Sequence, residues 1–386
     1  MTELDLPVKL WELRDVFRTR GFDLRLVGGV VRDHVMGIPC KDVDLHTDAT
    51  PEECVHIYDQ AYVRWEPTGL QHGTTTVILD HVPYEITSLR LDTQTDGRHA
   101  QVTYTRDWLE DLRRRDLTFN AMSMSLEGEI LDPFGGMADL RSGMVRFVGD
   151  PHERIQEDYL RILRWFRFRG RFETSGECDA QAEDAVSQLC HGLEHISRER
   201  VWMEMSKILT GPQNMLMMQH IYVLNVNNYI NLPDVSPFKM HSASKLDTSK
   251  VDAVTVLTGL YRWNCMRILK NWKSSKEDQQ KSEWLNKHVG DNPFRLMAVD
   301  GARRDWACDL EQLNCVVLSM TPDPLRQAVL ETWTPPTFPV TGYDLIALGI
   351  RPGPTYGDIM HMLKHAWADS DYTLTQAELL QMVKPP

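Results

Sequence analysis

Two aspartates one residue apart, Asp42 and Asp44, are the strongest chemical signal in the chain. On a strand, residues i and i+2 share a face and lie about 7 Å apart at Cα, so their carboxylates can share a metal site. Two ions about 3.5–4 Å apart could clamp an in-line phosphoryl displacement there. Shortly upstream, Gly28 and Gly29 separate the apolar run Leu24, Leu26, Val27 from the helix-compatible stretch VVRDHVMG. Paired glycines at such a junction let backbone N–H groups close on an anion, and the helix N-terminus adds positive potential. A glycine pair is also a common tight turn, and an Asp-x-Asp pair a common solvated strand end. The order strand, Gly-Gly, helix, Asp-x-Asp is what reads as nucleotidyl transfer. A P-loop is excluded, because GxxxxGK[ST] is missing and Arg32 and Asp33 stand where its lysine would be.

Further candidates follow along the chain. Arg113, Arg114 and Arg115 could fork onto triphosphate oxygens; taken alone they read first as a solvated basic face paired with Asp107, Glu110 and Asp111. Asp158, Arg161, Arg164 and Arg167 recur every third residue of an expected helix. Each step turns the row about 300°, so it fans by about 60°. Residues 154–171 hold six arginines against two carboxylates. A carboxylate accepting from an exocyclic amine, beside guanidiniums donating to ring acceptors, could read a base edge; an exposed amphipathic helix with ion pairs is the alternative. Glu85 reads first as a solvated strand glutamate, with a third carboxylate beside Asp42 and Asp44 as the sharper reading. His72 and His99 have no metal-ligand spacing and read as structural or loop residues. Residues 262–287 are locally basic with Trp263, Trp272 and Trp284 interleaved. They fit an RNA-backbone surface or a basic helix packing its tryptophans.

The elements that must position these groups are legible in outline. Leucines, Val16 and Phe17 at near-helical spacing make residues 3–20 a short amphipathic helix. Thr50-Pro51-Glu52-Glu53 is a helix start with a capping box. Residues 74–79 and 82–87 read as two strands of a hairpin. The stretch 89–105 is polar and glycine-broken, and is expected to be a mobile loop beside the site. The mixed α/β part ends near Val148, and from Asp150-Pro151 the pattern is helical throughout. Breaks are expected at Gly211-Pro212 and Asn231–Asp234, and residues 331–340 read as a proline-rich linker before a final helical unit. The run Met215–Met218 reads as core filler.

The chain of 386 residues is long enough for several packed units. No apolar run reaches the length of a membrane span, and the acidic start MTELDLPVKL is unlike an Arg/Ser-rich transit peptide. Seven scattered cysteines without CxxC argue for reduced thiols in a cytosol-like compartment, against structural zinc or a disulfide framework. A net charge of −13 excludes indiscriminate nucleic-acid binding, so any RNA surface must be a local basic patch.

Taken in order, LVGGVVRD with KDVD, RRDLTFNA, DPFGGMADL, EDYLRILRWFRF and SRERVWMEMSKIL resemble the motif series of class II tRNA nucleotidyltransferases, the CCA-adding enzymes. The likeness spans roughly residues 21–209, and GYDLIALGIRPGPTYGDIMHML resembles the family's tail. The resemblance implies an α+β fold: a small mixed-sheet, polymerase-β-like head (1–148), then an all-α neck (149–211), body (212–333) and tail (334–386). Asp42 and Asp44 would hold two Mg²⁺ ions. Gly28, Gly29, Arg32 and Arg115 would bind the nucleotide's phosphate and sugar. Asp158 and Arg161 would read the Watson–Crick edge of CTP or ATP, Arg164 and Arg167 would support the nucleotide, and Glu199 and Glu204 would be structural. The implied partner is the tRNA acceptor arm at its 3′ end, for a monomer or homodimer without membrane contact. The implied location is the cytoplasm, with a mitochondrial or nuclear pool open through an alternative start. The alternatives are a CC-only, A-only or poly(A)-adding relative, or an inactive RNA-binding module. The intact stretch with Asp92, Asp96, Gly97 and Arg98 weighs against CC-only addition, and retention of Asp42, Asp44, Asp158 and Arg161 against inactivity.

Overall fold

The computed structural model describes residues 6–39, 43–95, 100–172, 178–244, 251–288, 337–351, 353–370 and 372–383. Asp42, Asp96, Gly97, Arg98, His99 and most of the 331–340 stretch lie outside them. The chain divides into two compact units, residues 1–204 with 220–230, and residues 205–219 with 231–386.

The first unit opens with α1 (Val8–Arg18), which buries Leu10, Leu13 and Phe17. Strand β1 (Leu24–Val27) runs into α2 (Gly29–Val35), and β2 (Asp44–Thr47) into α3 (Pro51–Gln60). Helix α3 starts with the expected capping box of Thr50 and Glu53 and proline in its first turn. The sheet continues with β3 (Trp65–Glu66), β4 (Thr74–Leu79) and β5 (Val82–Ser88), and later with β8 (Ser123–Ser125) and β9 (Ile130–Leu131). Among the described residues these seven strands are ordered β3-β4-β5-β2-β1-β8-β9. All neighbours are antiparallel except β2 and β5, whose parallel register sets Asp44 against Glu85 and His46 against Thr87.

Residues 89–105 are not the expected loop. Strands β6 (Arg90–Thr95) and β7 (Ala100–Tyr104) form a separate two-stranded antiparallel sheet. The stretch is threonine-rich, carries Val102 and Tyr104, and holds an Asp-Gly pair between its halves, a hairpin signal that polarity had masked. Helix α4 (Trp108–Arg113) follows, and α5 (Gly136–Ser142) closes the mixed α/β part.

From Pro151 onward every element among the described residues is helical. Helices α6 (Pro151–Glu157), α7 (Leu160–Phe172), α8 (Ala180–Leu189) and α9 (Arg198–Leu209) precede α10 (Asn214–Val223), with the Gly211-Pro212 break between the last two. Helix α7 is amphipathic and buries Ile162, Leu163, Trp165, Phe166 and Phe168. Helix α10 buries Met215, Met217 and Met218, the expected core filler, and α11 (Val226–Tyr229) ends at the Asn231–Asp234 break.

In the second unit, α12 (Pro237–Ala243) leads to α13 (Ala253–Tyr261), which is buried along its whole length. Helices α14 (Trp263–Asn271) and α15 (Lys276–His288) follow, with Trp272 fully buried between them in sequence. The C-terminal helices at Gly342–Ala347, Pro354–Asp369 and Gln376–Gln381 enclose a small core of Leu345, Leu363, Trp367 and Leu379. Capping boxes start the first and last of them. None of the described helices is long and apolar enough to cross a membrane.

Candidate active site

The parallel pairing of β2 and β5 places two exposed carboxylates, Asp44 and Glu85, side by side on adjacent strands. Both line a cavity of about 280 Å³. Glu85 is therefore part of the acidic wall rather than a merely solvated strand residue. The same cavity is also lined by cations: Arg90 from the start of β6, and Arg114 and Arg115 from the end of α4. His46, two residues beyond Asp44 and on the same face of β2, completes the lining argued from here.

The arginine run is not the solvated face expected of it. Arg114 and Arg115 side chains are each 18% exposed and converge on Asp111, which is fully buried. Arg114 donates to Asp111 Oδ1 from Nη2 at 2.7 Å and from Nε at 3.0 Å, while Arg115 Nη2 lies 3.4 Å from Oδ2. Arg113 alone stays outward, 3.5 Å from Glu110, and Asp107 instead caps α4 through Leu109 N. The reason is depth: the last turn of α4 packs Leu112 into a core with Val27, Ala121 and Val148, so the residues beside it point inward. Burial would raise the Asp111 carboxyl, but contact with His46, Arg114 and Arg115 outweighs it and holds the group well below the usual carboxylate range. Burial pushes the His46 imidazole down to about 4, so it is neutral near pH 7.

Gly28 explains how Arg115 reaches the cavity. It has a left-handed φ of +75°, and a Cβ there would sit 2.9 Å from Arg115 Nη1. A side chain at Gly28 would be strained in its backbone and would displace the guanidinium. Gly29 begins α2 and faces the guanidinium of Arg32, three residues on. Arg32 is buried, donates from Nη1 to Asn120 Oδ1 at 2.8 Å, pairs with Asp33, and lies 5.1 Å over the Phe168 ring. The 3₁₀ turn Thr118–Asn120 that carries Asn120 is clamped from behind. Thr118 donates to Asp139 at 2.6 Å, and a Cβ on Gly136 would meet Thr118 O at 2.5 Å. The segment DPFGGMADL thus braces RRDLTFNA by close backbone contact.

Helix α7 brings the second group. Asp158 is not on the helix but in the break after α6, in extended conformation. It caps α7 by accepting from Leu160 N at 3.1 Å. Aspartate competes poorly inside a helix and well at its start, which moves the residue off the expected row. Its other oxygen accepts from Arg200 Nη2 at 2.7 Å. Arg161 donates from Nη1 to Glu157 at 2.7 Å and from Nη2 to the Arg114 carbonyl at 3.0 Å. Arg164 Nε reaches Asp116 at 2.5 Å; burial would raise the Asp116 carboxyl, but this partner outweighs it and leaves the group below its ordinary value. Arg167 pairs with the buried Glu204 at 3.2 Å and lies 4.7 Å over Phe168.

Hydrogen bonds therefore join Arg161 to Arg114 and Arg164 to Asp116, next to the cavity arginines, whereas Arg167 faces Glu204. Sequence reasoning missed His46 and Arg90, took Asp111 for a surface partner of the arginines, and ranked Glu85 as a third carboxylate second to a solvated strand residue. The alternation of β2 could have raised His46, but the β2–β5 register has no local signal. Among the described residues no group of three or more His, Cys, Asp or Glu could hold a metal ion, and Asp42 is not among them. The donor set does suit a hard cation: Asp44 and Glu85 offer adjacent carboxylate oxygens.

A small mixed sheet with an acidic pair and three arginines lining one cavity fits a nucleotidyltransferase head. Residues 24–146 match the family described as "Poly A polymerase head domain", and residues 177–237 match "Probable RNA and SrmB- binding site of polymerase A". The chain is 37% identical to the mitochondrial CCA tRNA nucleotidyltransferase 1 of Danio rerio, over 95% of this chain and 88% of the relative. It is 35% identical to the Homo sapiens counterpart, over 97% and 89%. The crystal structure of the Bacillus stearothermophilus CCA-adding enzyme in complex with CTP aligns with a TM-score of 0.70 at 25% identity, covering 97% of each chain. The chain belongs to the CCA-adding enzymes, the class II tRNA nucleotidyltransferases.

Proposed function

We propose that this enzyme adds CCA to tRNA 3′ ends from CTP and ATP without a nucleic-acid template. The observation that supports it most directly is the single cavity lined by Asp44 and Glu85 together with Arg90, Arg114 and Arg115. Asp42, Asp44 and Glu85 would hold two Mg²⁺ ions, which when bound supply activation of the 3′-hydroxyl and neutralise charge on the α-phosphate and leaving pyrophosphate. The 3′-oxygen attacks the α-phosphorus and the bond to pyrophosphate breaks, so no protein nucleophile is needed. Arg115, with Arg32 and the Gly28-Gly29 turn, holds the nucleotide's phosphates and sugar, and Arg90 and Arg114 add positive potential to the same wall. Asp158 and Arg161 select the base, and Arg164 and Arg167 support the nucleotide.

The likeness to relatives supports a four-part chain: head 1–148, neck 149–211, body 212–333 and tail 334–386. The body and tail take the tRNA acceptor arm. We assign the enzyme to the cytoplasm, as a monomer or homodimer, with a mitochondrial pool like that in the relatives' names.

Incubating the protein with tRNA lacking its 3′ end, CTP and ATP, then sequencing the products, tests this reading. The expected product ends in CCA. A CC end, a lone A or an A-tract would replace the reading with the corresponding narrower activity, and unchanged tRNA would leave an RNA-binding module. Asp44→Ala should abolish incorporation while the melting temperature holds. Near-normal incorporation by that variant at millimolar Mg²⁺ would sink the metal assignment.

A further inference from the structure

His46 belongs to no motif of the sequence, yet it occupies the middle of the cavity wall. It lies two residues after Asp44 on the same face of β2 and is 8% exposed. Its Nε2 is 3.3 Å from Arg115 Nη2, and its Nδ1 is 3.5 Å from Asp111 Oδ2. The other holds on the Arg115 guanidinium are long: 3.5 Å from Nη1 to Asn120 O, and 3.4 Å from Nη2 to Asp111 Oδ2. Its Nε is buried without a partner. Asp111 is heavily shared, because its Oδ1 also accepts from Arg114 and from Arg90 N.

We propose that His46 is a positioning residue for nucleotidyl transfer, its imidazole fixing the Arg115 guanidinium toward the triphosphate. This rests on the reading of Arg115 as a nucleotide-binding residue. A guanidinium has donors only, so Nε2 must be the accepting nitrogen and the proton resides on Nδ1, where it faces the Asp111 carboxylate. The Arg115 contact sets the tautomer; Nδ1 lies 3.5 Å from the Asp111 carboxylate without a hydrogen bond to it. Asp111 alone would hold Arg115 by neutralising it, in competition with Arg114. A neutral acceptor orients the guanidinium and leaves its charge for phosphate. Gly28 bounds the same group from the other side, at 2.9 Å for any added Cβ, so Arg115 is confined between a glycine backbone and the imidazole.

The test uses the full chain with His46→Phe, which fills the space without polar atoms, and His46→Gln, which keeps one acceptor and one donor. kcat/KM for CTP and for ATP, KM for tRNA and melting temperature are measured for both, alone and combined with Arg115→Ala. His46→Phe should lower kcat/KM for CTP and ATP by the same factor, about tenfold for one lost hydrogen bond, with KM for tRNA unchanged. His46→Gln should recover most of that loss. With Arg115→Ala already present, His46→Phe should cause no further loss. If His46→Phe does not fold, His46→Ala takes its place in the same cycle. Wild-type rates in His46→Phe, no advantage of Gln over Phe, or additive losses with Arg115→Ala would each overturn the proposal. A wild-type protein that adds no CTP or ATP would instead overturn the functional reading on which it rests.

Discussion

Asp158 is held by two donors, Leu160 N and Arg200, and an ionised carboxylate offers about four lone-pair sites, so it can still accept from a base. Cytosine and adenine both present an amine donor beside a ring-nitrogen acceptor. Guanine and uracil present a carbonyl and a ring N–H, the wrong polarity for Asp158 and Arg161. Asp158→Ala is expected to admit UTP or GTP with some loss of rate, whereas Arg115→Ala should slow CTP and ATP alike. kcat/KM for all four triphosphates decides it; if Asp158→Ala leaves the ratios unchanged, the carboxylate serves only Arg200 and the helix cap. Asp116 illustrates a different role. Burial would raise its carboxyl, but Arg164 and the bonds from Asn120 and Leu117 N hold it below its ordinary value. Its folded pKa lies below the unfolded one, so its contribution is complete above about pH 4 and is lost as pH falls through the folded value. Asp116→Asn should destabilise the protein at pH 7 by on the order of 2 kcal/mol, since Arg164 is partly exposed. Its melting temperature should then fall less steeply than wild type between pH 5 and 3; parallel curves would discard the assignment.

At the scale of elements, α14 is the surface we propose for RNA. Trp263 is 72% exposed, and exposed Arg267 and Lys270 follow at helical spacing, while Cys265, Ile268 and Leu269 face inward. The sequence suggested three interleaved tryptophans, but Trp272 is fully buried and only Trp263 of the three stands fully exposed. An exposed aromatic ring that can stack on a base, beside cations that can meet phosphates, fits a nucleic-acid surface better than core packing. Reversing Lys270, Lys273 and Lys276 to glutamate should raise KM for tRNA several-fold at low salt, less so at high salt, and leave KM for CTP alone. An unchanged KM for tRNA would remove this face from the binding surface. What was legible in the chain was local: the strand, glycine turn and helix at Leu24–Val35, the capping box at Thr50, the hairpin at Thr74–Ser88. What was not legible depended on distant register or burial. Nothing near Glu85 says that β5 runs parallel to β2, and nothing in Arg113–Arg115 says that Asp111 lies in the core. The polar stretch 89–105 misled because its hairpin packs mainly on itself.

For the whole molecule, a net charge of −13 means that attraction to RNA must be local, supplied by patches such as the exposed face of α14 rather than by the chain at large. Relatives from fish to human align over nearly its full length. One feature of the sheet also sets a timetable. Central strand β1 pairs on one side with β2, Arg25 against His46, and on the other with β8, Arg25 against Ser125. The first pairing closes a short stretch of chain, the second roughly a hundred residues, and closures of that span are slow to form. A chain emerging from the ribosome can set Asp44 on its strand early, but β1 keeps an open edge until β8 arrives. Pulse-labelled hydrogen exchange during refolding should find amides of β8 protected after those of β2 and α7; the reverse order would refute this timetable. Until β8 docks, the nascent enzyme is most open to mispairing at β1, the strand whose partner β2 carries Asp44.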